Sequence, residues 1–210
     1  PAVIGELAPP QSMLQQAQKL GCIKVQVRQQ YQYTEQEHSW QWKGQTASYN
    51  DLPVPAMPVQ NAACALAALE QLALLPEAAQ LNAVFAGLTL PGRMQWLQQQ
   101  PAILLDVAHN PQSAAYLAAQ LASIAPRYQR IHALVGMLKD KDIEQSLADF
   151  AGLVSTWHCA GLPPPRGASA ELLAMQLPEG VNVVCYADVE TAWAKVQADL
   201  RATELGLIFG

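Results

Sequence analysis

Basic charge is scarce in this sequence. Its 210 residues hold 12 Lys and Arg against 17 Asp and Glu, a net charge of −5, and the two signs are interspersed. No basic stripe forms, which argues against sequence-independent binding of nucleic acid. An acidic protein still binds anions, through local sites where backbone N–H groups and a few Arg or Lys converge. Cysteine is scarce too: Cys22, Cys64, Cys159 and Cys185 lie far apart and none forms a C-x-x-C pair. Structural zinc needs close-spaced pairs, and a small secreted scaffold needs many more half-cystines. The four are therefore expected to be reduced thiols in the core of a cytosolic protein. No apolar run approaches the ~18 residues of a membrane span, and no charged-then-apolar leader opens the chain. The expectation is a soluble, cytoplasmic protein with no membrane partner. A phosphate-cradling loop of the form G-x-x-x-x-G-K-[ST] is also missing, so nucleotide chemistry here does not rest on such a loop in this chain.

Apolar residues and helix formers are plentiful. The composition is 51% hydrophobic and 14% charged, that of a globular protein with a sizeable core, and the Ala/Leu/Gln stretches suit helices. The second half reads most clearly. Ala102 to Asp106 is a short apolar run suited to a buried strand, followed by a helix with Ala114, Leu117, Leu121 and Ile124 on one face. Ile131 to Gly136 is a second strand, and the helix after it carries Ile143, Leu147 and Phe150. Leu153 to Cys159 is a third strand, and the Pro163-Pro-Pro-Arg-Gly167 loop leads to a helix around Ala170–Gln176. Val181 to Cys185, a helix with Trp193, Val196 and Leu200, and Leu205 to Phe209 complete the alternation. Repeated strand–helix units predict an α/β fold: a mostly parallel sheet with helices on both faces, binding ligands outside the carboxyl ends of its strands.

The first half is less regular. Residues 2–5 make a scrap of strand, and Pro10–Leu20 a helix with Met13, Leu14, Ala17 and Leu20 inward. Ile23–Val27 and Ser39–Lys43 are β-type runs, with Trp40 and Trp42 on one strand face. Asn61 to Leu75 is a long helix with Asn61 as its N-cap, and a second runs from about Glu77 to Ala86. The boundary between the two parts is expected near residues 92–101, giving domains 1–95 and 96–210, and the Gln98–Gln100 run is a solvated strand or loop edge. Both ends look cut, because the chain opens on a strand and stops at a strand's end.

The most informative stretch is Asp106-Val-Ala-His-Asn-Pro111, where a buried strand turns into a helix. Asn110 is placed to cap and Pro111 to occupy the first helical turn, and free N–H groups there favour a phosphate or carboxylate. Asp106 and His109 project into the same crevice. A carboxylate can accept ribose hydroxyls, and an imidazole can donate to a phosphoryl oxygen or shuttle a proton. The spacing alone equally allows an Asp that caps local N–H groups and a His that packs.

Leu105-Asp-Val-Ala-His-Asn-Pro111, preceded by Leu90-Pro-Gly-Arg93, resembles the paired signature of the folylpolyglutamate synthases within the Mur ligase superfamily. Pro58-Val-Gln-Asn-Ala-Ala63, Gly136-Met-Leu-Lys-Asp-Lys-Asp142 and Pro165-Arg-Gly-Ala168 match in the same order. The resemblance runs nearly end to end and is nearest to the bacterial bifunctional dihydrofolate synthase/folylpolyglutamate synthases, their carboxy-terminal half. It implies a carboxy-terminal Rossmann-like domain after part of a central P-loop ATPase-type domain. It also implies an ATP-dependent carbon–nitrogen ligase, in which ATP and Mg2+ activate a carboxylate of dihydropteroate or folate to an acyl phosphate that glutamate attacks.

By the same resemblance, Asn61, Arg93 and Asp106 lie on the ATP, with Arg93 neutralising phosphate charge as a bidentate donor. His109 stands beside the reacting phosphate or the incoming glutamate, and Arg93 and His109 are the catalytic candidates. Arg166 meets a glutamate carboxylate or braces its own loop. The Gly136–Asp142 stretch reads as a loop with an Asp N-cap and solvated lysines, while His38, His132 and His158 lack metal-ligand spacing and receive no role. The family keeps its phosphate loop, magnesium ligands and most of the pteroate pocket upstream, so this chain alone is expected to be inactive. A monomer is the family expectation. Two alternatives stay open: a Mur-type ligase for another carboxylate and amino acid, and a non-catalytic nucleotide-binding module.

Overall fold

A computed structural model describes all 210 residues, which fold as two compact units, Pro1–Thr89 and Leu90–Gly210. The Leu90–Met94 turn, which the sequence reading assigned to the first part, packs with the second: Met94 rests against the second unit's core.

In the first unit, β1 (Ala2–Ile4) and β2 (Lys24–Gln26) form a parallel pair joined through α1 (Gln11–Lys19). The strands β3 (Gln32–Glu35), β4 (Ser39–Lys43) and β5 (Ser48–Pro53) form an antiparallel meander. Trp40 and Trp42 share the inner face of β4, fully buried, and their indole N–H groups donate to Pro53 O and Ala63 O. Burying two such rings without an unsatisfied N–H explains why they anchor this core. An extra residue in β5 between Tyr49 and Leu52 is accommodated at Asp51, whose φ is +54°.

The helix α2 (Val59–Gln71) packs Val59, Ala62, Ala63 and Leu66 on one buried stripe, and α3 (Ala78–Gly87) adds Leu81 and Phe85. Two expectations are corrected here. The helix α2 starts two residues earlier than expected, with Pro58 and not Asn61 at the cap. Val59 belongs to the buried stripe and draws the start of the helix back. On α1 only Ala17 is buried, while Met13 and Leu20 are 45% and 66% exposed. A two-stranded sheet is too narrow to cover a full helical face.

The second unit is built on a six-stranded sheet in the order β10-β9-β8-β11-β7-β6. Its members are β6 (Gln95–Gln99), β7 (Ala102–Leu105), β8 (Ile131–Val135), β9 (Thr156–Ala160), β10 (Val183–Tyr186) and β11 (Leu205–Phe209). All pair in parallel except β6, an antiparallel edge strand that holds most of the Gln98–Gln100 run. The helices are α4 (Pro111–Ile124), α5 (Ile143–Ala148), α6 (Ala170–Ala174) and α7 (Val189–Asp199). Leu117 and Leu121 of α4, Leu147 of α5 and Leu173 of α6 join the sheet residues Leu104, Val135, Trp157 and Leu207 in one core. Ala192 and Val196 of α7 meet Leu134 and Ala160 in another. Because side chains alternate along a strand, these two sets lie on opposite faces, and the sheet is covered on both. This is the expected Rossmann-like α/β architecture. The cysteines are free, but only Cys159 is in the core: Cys22 and Cys64 are half-buried and Cys185 is exposed on the edge strand β10.

The α7 face also carries a polar ladder that the sequence did not reveal. His132 Nδ1 lies 3.3 Å from His158 Nε2, His158 Nδ1 lies 3.0 Å from the Tyr186 hydroxyl, and the buried Glu204 carboxylate is 3.5 Å from His132 Nε2. Burial, with help from His132 and Lys195 and against Asp199, pushes His158 down to about 4 from an ordinary 6.5. Because the unfolded ring takes up its proton first, His158 does not influence stability above pH 6.5 and costs stability progressively as pH falls from 6.5 to 4. Urea unfolding of the parent should weaken across this window, and His158→Gln should flatten that part of the slope. An unchanged slope would place the proton uptake elsewhere.

Candidate functional site

The carboxyl ends of β7, β8 and β11 open onto a cleft of about 450 Å³. Leu105, Leu134, Met137, Leu162, Ile208 and Phe209 give it apolar walls, and its ionisable lining residues are Asp106, His109 and Lys141.

Asp106 follows the last residue of β7, and its N–H donates to Ile208 O of β11. Asp106 is buried, 7% exposed as a residue, and one carboxylate oxygen, Oδ2, accepts the Met94 N–H at 2.8 Å. The next residue, Val107, donates its N–H to Gly92 O at 2.8 Å. Two bonds therefore staple the turn that carries Arg93 to the end of β7. Arg93 itself is exposed, with no hydrogen bond or ion pair to its guanidinium, and does not line the cleft.

His109 is oriented by a 2.8 Å contact between its Nδ1 and Val107 O. A carbonyl only accepts, so Nδ1 carries a proton, and in the neutral ring the lone pair is on Nε2. Asn110 caps α4 as expected: its side chain accepts the Ser113 N–H at 3.0 Å, Ser113 answers toward the Asn110 backbone, and Pro111 occupies the first turn.

The Gly136–Asp142 loop is zipped to the Pro163–Ala168 loop. Lys139 N–H donates to Arg166 O, and Ala168 N–H to Met137 O. Asp142 caps α5 through the Gln145 N–H, as the sequence suggested. Arg166 is exposed and its guanidinium is 3.4 Å from Asp140, outside the cleft lining. Asn61 lies exposed in the first turn of α2, in the other unit. Lys141, expected to be a solvated loop lysine, lines the cleft, and its only signal in the sequence is its place between two aspartates at a strand's exit.

Residues 92–210 match the family described as Mur ligase, glutamate ligase domain. The chain belongs to the Mur ligase family. Among curated relatives, the dihydrofolate synthase/folylpolyglutamate synthase of Escherichia coli K12 is 35% identical over 210 residues, which cover 100% of this chain and 49% of that protein. Among solved structures, E. coli FolC in complex with DHPP and ADP is 36% identical with a TM-score of 0.90, covering 100% of this chain and 50% of that one. A bifunctional folylpolyglutamate synthase/dihydrofolate synthase with Mn, AMPPNP and L-glutamate bound is 39% identical with a TM-score of 0.87, again over 100% and 50%. The chain thus spans about half the length of the Mur ligase relatives it matches.

Gly92 is a point at which this geometry can be tested. Its φ is +67°, and an added Cβ would come within 2.7 Å of Val107 Cγ1. Gly92→Ala should lower stability by about 1–3 kcal/mol in urea titrations, from left-handed strain and displacement of Val107. A parent-like midpoint would mean that the turn is not held as described.

Proposed function

We propose that the chain is part of an ATP-dependent ligase that joins L-glutamate to dihydropteroate, folate or both. The observation that carries this reading is the convergence of Asp106, His109 and Lys141 at the carboxyl ends of three neighbouring strands, beside the stapled turn of Arg93. The named activity of the full-length relatives supports it, as do the ADP, AMPPNP and L-glutamate bound in the neighbouring structures.

ATP supplies the phosphoryl group that activates a substrate carboxylate as an acyl phosphate. The residues here fit one side of such a nucleotide. The unengaged Asp106 oxygen can accept a ribose hydroxyl, and the Arg93 guanidinium can meet phosphate oxygens in a bidentate way. Asn61 is a further nucleotide contact in this reading. The Lys141 ammonium can neutralise charge at the cleft, where low-dielectric walls strengthen its field. His109 Nε2 can accept a proton as an amino group attacks, with Nδ1 fixed on Val107 O. The Mg2+ ion is a different matter. No three His, Cys, Asp or Glu side chains come together to hold a metal in this chain, and in this reading the magnesium ligands belong to the upstream half of the enzyme.

The test is a chimera in which this chain replaces the matching half of the E. coli enzyme. With magnesium and ATP, ADP formation should require glutamate together with dihydropteroate or folate. Arg93→Ala and Asp106→Asn should each lower the rate on the order of 10- to 100-fold, as expected for a charged hydrogen bond. Stimulation by a different amino acid would point to another Mur-type ligase. Nucleotide binding without turnover would point to a binding module.

A further inference from the structure

Arg93 owes its place to backbone bonds around it, since no contact holds its own side chain. Leu90-Pro91-Gly92-Arg93 closes as a turn, with the Arg93 N–H donating to Leu90 O at 3.0 Å. Pro91 sits where a fixed φ is favoured and Gly92 supplies a positive φ of +67°, the pattern of a type II turn. On one side of Arg93, the Gly92 N–H donates to Gln95 Oε1 at 2.8 Å. On the other, the Met94 N–H donates to Asp106 Oδ2, also at 2.8 Å. Met94 has a φ of +42°, a region that residues other than glycine visit rarely, and a charge-assisted bond holds it there. Three consecutive N–H groups, at residues 92, 93 and 94, are therefore each committed.

We propose that Gln95 is a positioning residue that, with Asp106, clasps this turn from both sides and fixes the direction from which the Arg93 guanidinium meets a nucleotide phosphate. The proposal rests on the reading above that Arg93 is a phosphate contact. Gln95 suits the task because it is also the first residue of β6, paired opposite Leu105 at the end of β7. Its side chain thus ties the turn to the same strand end that presents Asp106. Without the clasp, the turn gains backbone freedom, and a long side chain at its tip loses a defined starting direction. The amide oxygen does the work; a thioether of similar length would fill the space without accepting the N–H.

A double-mutant cycle in the chimera described above decides the matter, with magnesium and ADP as the probe and calorimetry as the readout. Arg93→Ala should weaken ADP binding about 10- to 100-fold, and Gln95→Met roughly 3- to 10-fold. In the Arg93→Ala background, Gln95→Met should add less than about twofold, because a residue acting through Arg93 has nothing left to act on. Gln95 is half-buried at the start of an edge strand, so the core stays intact, and a thermal midpoint near that of the parent checks this. If Gln95→Met leaves binding unchanged, or weakens it equally in both backgrounds, the positioning role is overturned while Arg93 remains a phosphate contact. If Arg93→Ala itself has no effect on ADP binding by the chimera, the reading of Arg93 fails and takes the proposal with it.

Discussion

The second unit depends on one pairing pattern, the insertion of β11 between β7 and β8. Leu205 lies opposite Ala102 on one side and Ile131 on the other, so β11 bonds to two strands that precede it by long stretches of chain. The apolar residues Leu205, Leu207 and Phe209 are buried, and Phe209 stacks on Phe150 with ring centroids 4.6 Å apart. Because β7 and β8 are consecutive in sequence yet separated by β11, the connection through α4 must step over a strand. Such a step leaves a crevice at the carboxyl ends, where neighbouring loops diverge. The cleft is a consequence of strand order, and its apolar walls are the ends of the same strands that make the core.

The strand-end residues inherit this constraint. Asp106 is the first residue past β7, and its N–H still takes part in the sheet through Ile208 O. Its carboxylate is therefore fixed with respect to β11 before any ligand arrives. The antiparallel strand β6 extends the effect outward: it brings the chain back along β7, so that the turn preceding it lies against Asp106 and Val107.

Much of this was legible in the sequence, for a physical reason. Buried strands and helices repeat apolar residues at fixed periods, so Ile131–Val135 or Leu117 and Leu121 declare themselves from spacing alone. The cap at Asn110 was legible because capping is local chemistry. The start of α2 was misplaced because a favoured cap residue, Asn61, sits just inside a helix whose buried stripe begins at Val59. The strand β6 was ambiguous because an exposed edge strand made of Gln, Trp and Leu has no apolar period to read. The ladder of His132, His158, Tyr186 and Glu204 was invisible, since it joins residues of three strands and a loop through parallel pairing. The place of Lys141 at the cleft was not legible, because a loop lysine's surroundings depend on which strand ends meet beside it.

The polar groups at these strand ends and loops differ in how far the fold engages them. Asp142 gives its carboxylate to a helix cap, while Arg166 reaches Asp140 only through an exposed contact at 3.4 Å. Asp106 gives Oδ2 to Met94 and keeps Oδ1, His109 gives Nδ1 to a carbonyl and keeps Nε2, and Arg93 gives its backbone N–H to a turn and keeps its guanidinium. Each is half committed: one polar group is engaged by the fold, and the other has no partner within the chain. Orientation then comes mainly from backbone groups, with the Gln95 amide added at the turn of Arg93, which suits a cleft whose walls are mostly apolar and in which each unpaired charge would be costly to desolvate. Residue type can be read from a sequence, whereas the half left free is decided by the carbonyls and N–H groups that the fold brings within reach.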